Sequence, residues 1–75
     1  MSGEGVPRVS GRETVAALGR LGFRFVRQHG SHIVVRRADP FAQTTVPDHR
    51  ELDRGTLRAI LRQTGVSVAD FKAAL

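Results

Sequence analysis

The fold is decided by residues 23–47, which read FRFVRQHGSHIVVRRADPFAQTTVP. Two runs in this stretch, Phe23 to Gln28 and His32 to Arg37, are rich in Phe, Val and Ile. Such residues favour extended strands, and the dipeptide His29-Gly30 between the runs consists of residue types that tolerate a turn. The stretch therefore predicts a β-hairpin.

The pairing of the two predicted strands follows from the position of the turn. A two-residue turn at His29-Gly30 puts Arg27 opposite His32 and gives one face of the hairpin Arg27, His32 and Arg36. The other face then carries Arg24, Val26, Ile33 and Val35. Neither face is wholly apolar, so alternation leaves open which face is covered, and a bulge in the turn would change the pairing.

A third strand follows a second predicted turn at Asp39-Pro40. Residues 44–46 predict a short strand, and Pro47 ends it because proline has no backbone N–H to donate to a neighbouring strand. We expect this strand at an edge of the sheet.

Helical spacing flanks the strands on both sides. Ser10 and Glu13 have the spacing of a capping box at the start of a first helix, which ends where Gly22 can adopt a left-handed conformation. Asp53 can cap a second helix from about Arg54 to Thr64, and a short third helix completes the chain. Two helices on one face of an antiparallel sheet give an α+β fold, a two-layer sandwich.

The chain has 75 residues, which is enough for one small domain. Residues 1–9 are rich in glycine and small residues, so we expect a flexible N-terminal segment followed by a single domain over residues 10–75. No apolar run approaches the roughly 20 residues of a membrane span, and the N terminus does not read as a signal peptide. We therefore expect a cytoplasmic protein with no membrane partner.

The basic residues point to a polyanionic partner. Eleven arginines and one lysine against seven acidic residues give a net charge of +5. Arginine presents a planar fork of donors that suits phosphate, and Arg54, Arg58 and Arg62 recur along the second predicted helix. Nucleic acid or an acidic protein fits this charge. All four phenylalanines are expected in the core, which leaves no aromatic side chain to stack on bases.

The candidate chemistry rests on three histidines, because the chain has no cysteine. The plainer interpretation of His29 is a turn residue, and that of His49 a loop residue. His32 follows Gly30 at a strand start and faces Arg27 in the predicted pairing, so a titratable imidazole meets a cation that can stabilise charge on a phosphate. No carboxylates converge on the histidines, so we expect no metal site.

Two groups of short motifs carry a resemblance to a known family. The first is Gly30-Ser31-His32, preceded by Gly22-Phe23 and Arg27. The second is Val46-Pro47, followed by Gly55-Thr56-Leu57-Arg58, Ile60-Leu61 and Gln63. On these residues, the chain from Ser10 to Val66 resembles the HicA-type (YcfA-like) mRNA interferase toxins.

The resemblance implies a fold similar to a double-stranded RNA-binding domain, in agreement with the predicted order of one helix, three strands and one helix. It also implies ribonuclease activity on mRNA, with His32 as the catalytic residue and a HicB-type antitoxin as the protein that covers it. We expect His32 to act as general acid or base, with no metal ion or other cofactor. Contacts to RNA are predicted for Arg27, Gly30, Ser31, Arg36 and Arg58.

Two other functions fit the same charge. A non-catalytic RNA-binding module of the same fold would keep its RNA affinity when His32 is replaced. A small adaptor for an acidic protein would cleave no RNA and would bind it weakly at physiological salt. The Gly30-Ser31-His32 motif favours the nuclease over both.

Overall fold

The protein forms a three-stranded antiparallel sheet and three helices in the computed structural model, which describes residues 5–75. The elements in chain order are α1 (Gly11–Arg20), β1 (Arg24–His29), β2 (His32–Ala38), β3 (Phe41–Pro47), α2 (Arg54–Thr64) and α3 (Val68–Ala74). Strand β2 lies between β1 and β3, so β3 is an edge strand as predicted, and it extends the expected residues 44–46 to seven residues. The order confirms the predicted α+β fold, with a helix, three strands, a helix and a short C-terminal helix.

Both ends of α1 form as the sequence predicts. The Oγ of Ser10 accepts a hydrogen bond from the N–H of Glu13 at 3.0 Å, and the N–H of Ser10 donates to the Glu13 carboxylate at 2.8 Å. After the last turn, Gly22 has a φ of 99°, and the N–H of Phe23 donates back to the Leu18 carbonyl at 3.0 Å. These bonds satisfy backbone groups that the helix itself leaves unpaired, and they direct the chain into β1.

Helix α2 has the predicted bounds but lacks the predicted side-chain cap. Asp53 occupies the N-cap position, and its carboxylate makes no capping hydrogen bond. The other end is defined by Gly65, which has a φ of 73° and donates its N–H to the Leu61 carbonyl at 2.9 Å. Glycine suits this left-handed position because it has no Cβ to clash with the backbone.

The helices cover the face of the sheet that carries Ile33 and Val35 of β2, and this answers the question that alternation left open. Ala42, Thr44 and Val46 of β3 are buried under the same layer. The helices contribute the buried side chains of Ala17, Leu18, Leu57, Ile60, Leu61 and Phe71. Each large apolar side chain contributes about 1.5–3 kcal/mol on burial, so the core fixes the helices on this face.

The second half of the predicted flexible segment packs against the domain. Val6 and Val9 are both buried in the hydrophobic core, and the carbonyl of Val9 accepts the N–H of Leu52 at 2.8 Å. Two buried valines and a backbone hydrogen bond hold this stretch against the domain. The first four residues of the predicted segment lie outside the described residues.

The predicted position of the hairpin turn is wrong by one residue. The turn consists of Gly30 and Ser31, so His29 pairs with His32, and Arg27 does not face His32 directly. Gly30 has a φ of 55° and Ser31 has no positive φ, which is the pattern of a type II′ turn. A turn at His29-Gly30 would place histidine at the first central position, where glycine is favoured because it has no Cβ.

The strand β1 contains a β-bulge. Its register against β2 shifts between Phe25 and Arg27, which leaves Val26 as an extra residue. Regular alternation would put Arg24 and Arg27 on opposite faces of the sheet. Because the bulge reverses the alternation, both arginines lie on the face that the helices do not cover.

Candidate functional site

The face of the sheet opposite the helices, called the open face below, carries the residues from which the site is built. Along β2, His32 and Arg36 are exposed, whereas Ile33 and Val35 point into the core. Strand pairing and alternation place the following side chains on the open face: Arg24, Arg27, His29, His32, Val34, Arg36, Phe41, Gln43 and Thr45. The predicted grouping of Arg27, His32 and Arg36 on one face is confirmed.

The position of Arg27 relative to His32 is diagonal. Arg27 pairs with Val34, which lies two residues after His32 and two before Arg36 along β2. Diagonal neighbours in an antiparallel sheet are about 7–8 Å apart, within reach of a long arginine side chain. The predicted direct pairing of Arg27 with His32 is therefore corrected, but the two side chains still share one region of the open face.

Hydrogen bonds to both of its carbonyls hold the turn before His32 in place. Gln28 Nε2 donates to the Gly30 carbonyl at 2.9 Å, and the N–H of Asp48 donates to the Ser31 carbonyl at 2.6 Å. The Asp48 carboxylate accepts two hydrogen bonds from the Arg12 guanidinium, at 3.1 and 3.0 Å. Asp48 thus ties the turn to α1. The sequence carries no signal for this contact, because Arg12 and Asp48 are 36 positions apart.

The turn also presents two backbone donors beside His32. The amides of Gly30 and Ser31 form no hydrogen bond within residues 5–75, and both residues are exposed. Consecutive free amides in a turn can donate to the oxygen atoms of an anion. The structure therefore brings Gly30 and Ser31, both predicted to contact RNA, to the same end of the open face as His32.

The arginines divide into those held by the protein and those that are not. The side chains of six make no hydrogen bond or ion pair in the described part of the chain: Arg24, Arg27, Arg50, Arg54, Arg58 and Arg62. Arg36 donates its Nε to the Gln43 amide oxygen at 2.9 Å, which orients the guanidinium along the open face. Arg58 lies on α2, in the layer opposite the open face, so the structure does not bring it beside His32.

Two of the four phenylalanines are not in the core, contrary to the prediction. Phe25 is 61% exposed and Phe41 is 69% exposed, whereas Phe23 and Phe71 are buried. Both exposed rings belong to edge strands, where a side chain has a neighbouring strand on one side only. Phe41 lies on the open face, so an aromatic ring is available there to stack on a base.

The other two histidines occupy different environments. His29 is the last residue of β1 rather than a turn residue, and it is exposed on the open face. His49 is an exposed loop residue, as predicted, and its carbonyl accepts the N–H of Gly11 at 2.9 Å. Within residues 5–75, no three His, Asp or Glu side chains are grouped so that they could hold a metal ion.

Together these features define a small α+β domain with histidines and unpaired arginines on the open face of its sheet. Residues 11–66 match the family described as HicA toxin of bacterial toxin-antitoxin systems, and the chain belongs to that family. It is therefore a toxin of a toxin-antitoxin system, and the partner of such a toxin is an antitoxin. No curated protein matches the chain. None of the helices in the described part of the chain is both long and apolar enough to cross a membrane.

The contact between Asp48 and Arg12 leads to a first testable prediction. Asp48→Ala removes both hydrogen bonds to Arg12, and we expect it to lower the free energy of unfolding by about 1 kcal/mol, because the carboxylate is only 22% exposed. The matched control is Glu51→Ala, which breaks a 3.6 Å ion pair with Arg8 between two well-exposed side chains and should cost almost nothing. Urea unfolding of the two variants measures the difference, and equal stabilities would contradict the prediction.

Proposed function

We propose that the chain is an endoribonuclease that cleaves mRNA, with His32 as general acid or base. The observation that carries the proposal is the position of His32, exposed on the open face beside the free amides of Gly30 and Ser31 and diagonal to Arg27. Histidine side chains in general exchange protons near neutral pH. The surrounding donors can bind the phosphate on which charge develops. Cleavage of a labelled transcript by the purified chain tests the proposal.

The proposed reaction uses the 2′-hydroxyl of RNA as the nucleophile. Its oxygen attacks the adjacent phosphorus, the bond from phosphorus to the 5′-oxygen breaks, and negative charge increases on the two non-bridging oxygens. Arg27 and Arg36 supply fixed positive charge on the open face, while the amides of Gly30 and Ser31 donate from the turn. Donors that are already in place stabilise such charge without reorganisation during the reaction.

The proposal includes no metal ion and no other cofactor. Its proton transfers and its charge stabilisation are both assigned to side chains and backbone groups of the chain itself. Cleavage should therefore proceed at the same rate in the presence of a chelator. A loss of activity on chelation that added divalent ions restore would contradict this part of the proposal.

We further propose that the antitoxin is of the HicB type and covers His32. A surface complementary to the open face would carry acidic groups opposite Arg24, Arg27 and Arg36. Co-expression with the protein encoded beside this chain should yield a heteromeric complex in which RNA cleavage is suppressed. Recovery of the chain alone and inactive from such co-expression would count against this partner.

A non-catalytic RNA-binding module remains the second candidate. The unpaired arginines and the exposed ring of Phe41 would bind RNA equally well without cleaving it. The two candidates differ in the fate of a bound transcript, which the nuclease converts to fragments and the binding module leaves intact.

The open face leads to a prediction about RNA affinity. Arg27→Ala should weaken binding of a single-stranded oligonucleotide and reduce the slope of log affinity against log salt concentration by about 0.7, because one fewer phosphate is neutralised. Arg58→Ala should also weaken binding, by a smaller factor, since Arg58 lies in the helical layer.

The control for these variants is Arg20→Ala, which removes the same charge from a side chain that donates to the Ala74 carbonyl. Fluorescence anisotropy at several salt concentrations gives both affinity and slope. If Arg20→Ala weakens binding as much as Arg27→Ala, net charge rather than the open face determines the affinity.

A further inference from the structure

We infer that His29 is a second catalytic residue, which shares the proton transfers of RNA cleavage with His32. This inference rests on the proposed nuclease function and adds a residue to it. His29 and His32 are directly paired across β1 and β2, and both are exposed. Directly opposed residues in an antiparallel pair have Cβ atoms about 4.5–5.5 Å apart and project from the same face of the sheet. The pairing therefore places two imidazoles side by side on the open face.

The turn is what creates this arrangement. A two-residue turn at Gly30 and Ser31 makes the flanking residues, His29 and His32, the closing pair of the hairpin. The carbonyls of both turn residues are held, by Gln28 and by Asp48, which limits movement of the closing pair. The two imidazoles thus flank a turn that hydrogen bonds hold in one conformation.

Cleavage of RNA through its 2′-hydroxyl needs two proton transfers at different oxygens. A base accepts the proton of the 2′-hydroxyl as the bond from the 2′-oxygen to phosphorus forms. An acid donates a proton to the 5′-oxygen as its bond to phosphorus breaks, which leaves a cyclic phosphate and a free 5′-hydroxyl. A single imidazole beside the phosphate is well placed for one of these oxygens, and two adjacent imidazoles can serve both within hydrogen-bond reach of about 3 Å.

The side chains of the open face offer few other groups for the second role. Those in the described sheet are arginine, histidine, valine, alanine, proline, glutamine, threonine and phenylalanine. Arginine does not give up its proton in proteins, and the remaining types other than histidine do not exchange protons near neutral pH. On β3, the residue paired with His32 is Pro47, which carries no titratable group. Nearby, the Asp48 carboxylate is already engaged by Arg12. His29 is thus the group on this face that fits the second proton transfer.

The test measures cleavage by wild type, His29→Ala, His32→Ala and the control Thr45→Ala, which truncates another exposed side chain on the open face. We expect His29→Ala to lower the cleavage rate by about 100-fold or more, as is usual for loss of a general acid or base, and Thr45→Ala to leave it unchanged. Affinity for a non-cleavable oligonucleotide with a 2′-deoxy residue at the mapped cleavage site should change less than twofold in His29→Ala. His29→Gln, which keeps a polar side chain, should be as slow as His29→Ala.

A second substrate separates the two proton transfers. Replacing the 5′-oxygen at the mapped cleavage site with sulfur gives a leaving group that departs without a proton, so the variant that lacks the acid should regain the wild-type rate. We expect rescue of one histidine variant and not of the other. Rescue of neither or of both would overturn the division of roles.

The possible failures are distinguishable. If wild type cleaves, His32→Ala does not, and His29→Ala cleaves within about threefold of wild type, the role of His29 is refuted while the proposed nuclease stands. If wild type itself does not cleave RNA, the proposed function fails and the role of His29 fails with it. If His29→Ala loses its thermal transition, His29→Gln in a folded state decides between a structural and a catalytic role.

Discussion

His32→Ala is expected to lower the rate of transcript cleavage by about 100- to 10,000-fold, the range that a lost general acid or base usually costs. His32 begins β2, lies on the open face, and has the amides of Gly30 and Ser31 and the side chain of Arg27 around it. In the proposed mechanism, the substitution removes a proton transfer and leaves in place the groups proposed to bind phosphate. RNA affinity should therefore change little, whereas cleavage and growth inhibition on expression should disappear.

The fold of His32→Ala should persist, because an exposed side chain at a strand start contributes little packing. Circular dichroism and a thermal melt of the variant provide the control. Equal cleavage by wild type and variant would refute the catalytic role of His32. Loss of the fold would instead show that His32 is a structural residue.

Local sequence signals were sufficient to predict most of the fold. Helix ends depend on nearby residues, and so the capping box of Ser10 and Glu13 and the left-handed Gly22 were predicted correctly. The side-chain cap by Asp53 was not, because a carboxylate at the N-cap position can also remain in solvent. The prediction that Phe25 and Phe41 are buried was also wrong, because hydrophobicity alone does not distinguish an edge strand from a central strand.

The turn shows how a one-residue error changes the interpretation of a site. Gly-Ser and His-Gly are both possible two-residue turns at this point of the sequence, and the preference of type II′ turns for glycine at the first position favours Gly30-Ser31. With that choice His29 becomes the partner of His32 rather than a turn residue. The sequence thus contained a signal for the paired histidines, although the bulge at Val26 hid the correct positions of the arginines.

The parts of the site that sequence reasoning missed depend on contacts between distant positions. Asp48 accepts hydrogen bonds from Arg12 of α1, 36 positions away, and its N–H donates to the Ser31 carbonyl, so the loop after β3 ties the turn to α1. Neither contact follows a periodic pattern along the chain. They become visible only when α1 is packed against the sheet, and that packing depends on another residue, Gly11.

Gly11→Ala is expected to lower the free energy of unfolding by about 2–4 kcal/mol. A Cβ on Gly11 would lie 1.8 Å from the carbonyl oxygen of Pro47, so the first turn of α1 and the end of β3 would have to separate. Overpacking of this kind costs about 1–3 kcal/mol, and separation would also weaken the hydrogen bond from the Gly11 N–H to the His49 carbonyl, worth about 1 kcal/mol. At roughly 0.05–0.15 kcal/mol per residue, this is a large part of the stability of so small a domain.

Gly19→Ala is the matched control, because Gly19 belongs to the same helix and has open space where its Cβ would lie. Alanine is the better helix former, so this variant should be as stable as wild type or more stable by up to about 1 kcal/mol. Thermal melts should separate the two variants by about 8 °C or more, given about 4–8 °C per kcal/mol for a domain of this size. Because Pro47 pairs with His32, Gly11→Ala should also slow cleavage at temperatures where it remains folded. Equal melting temperatures for the two variants would show that α1 and β3 can separate at this point without cost, and that Gly11 is not needed to position the site.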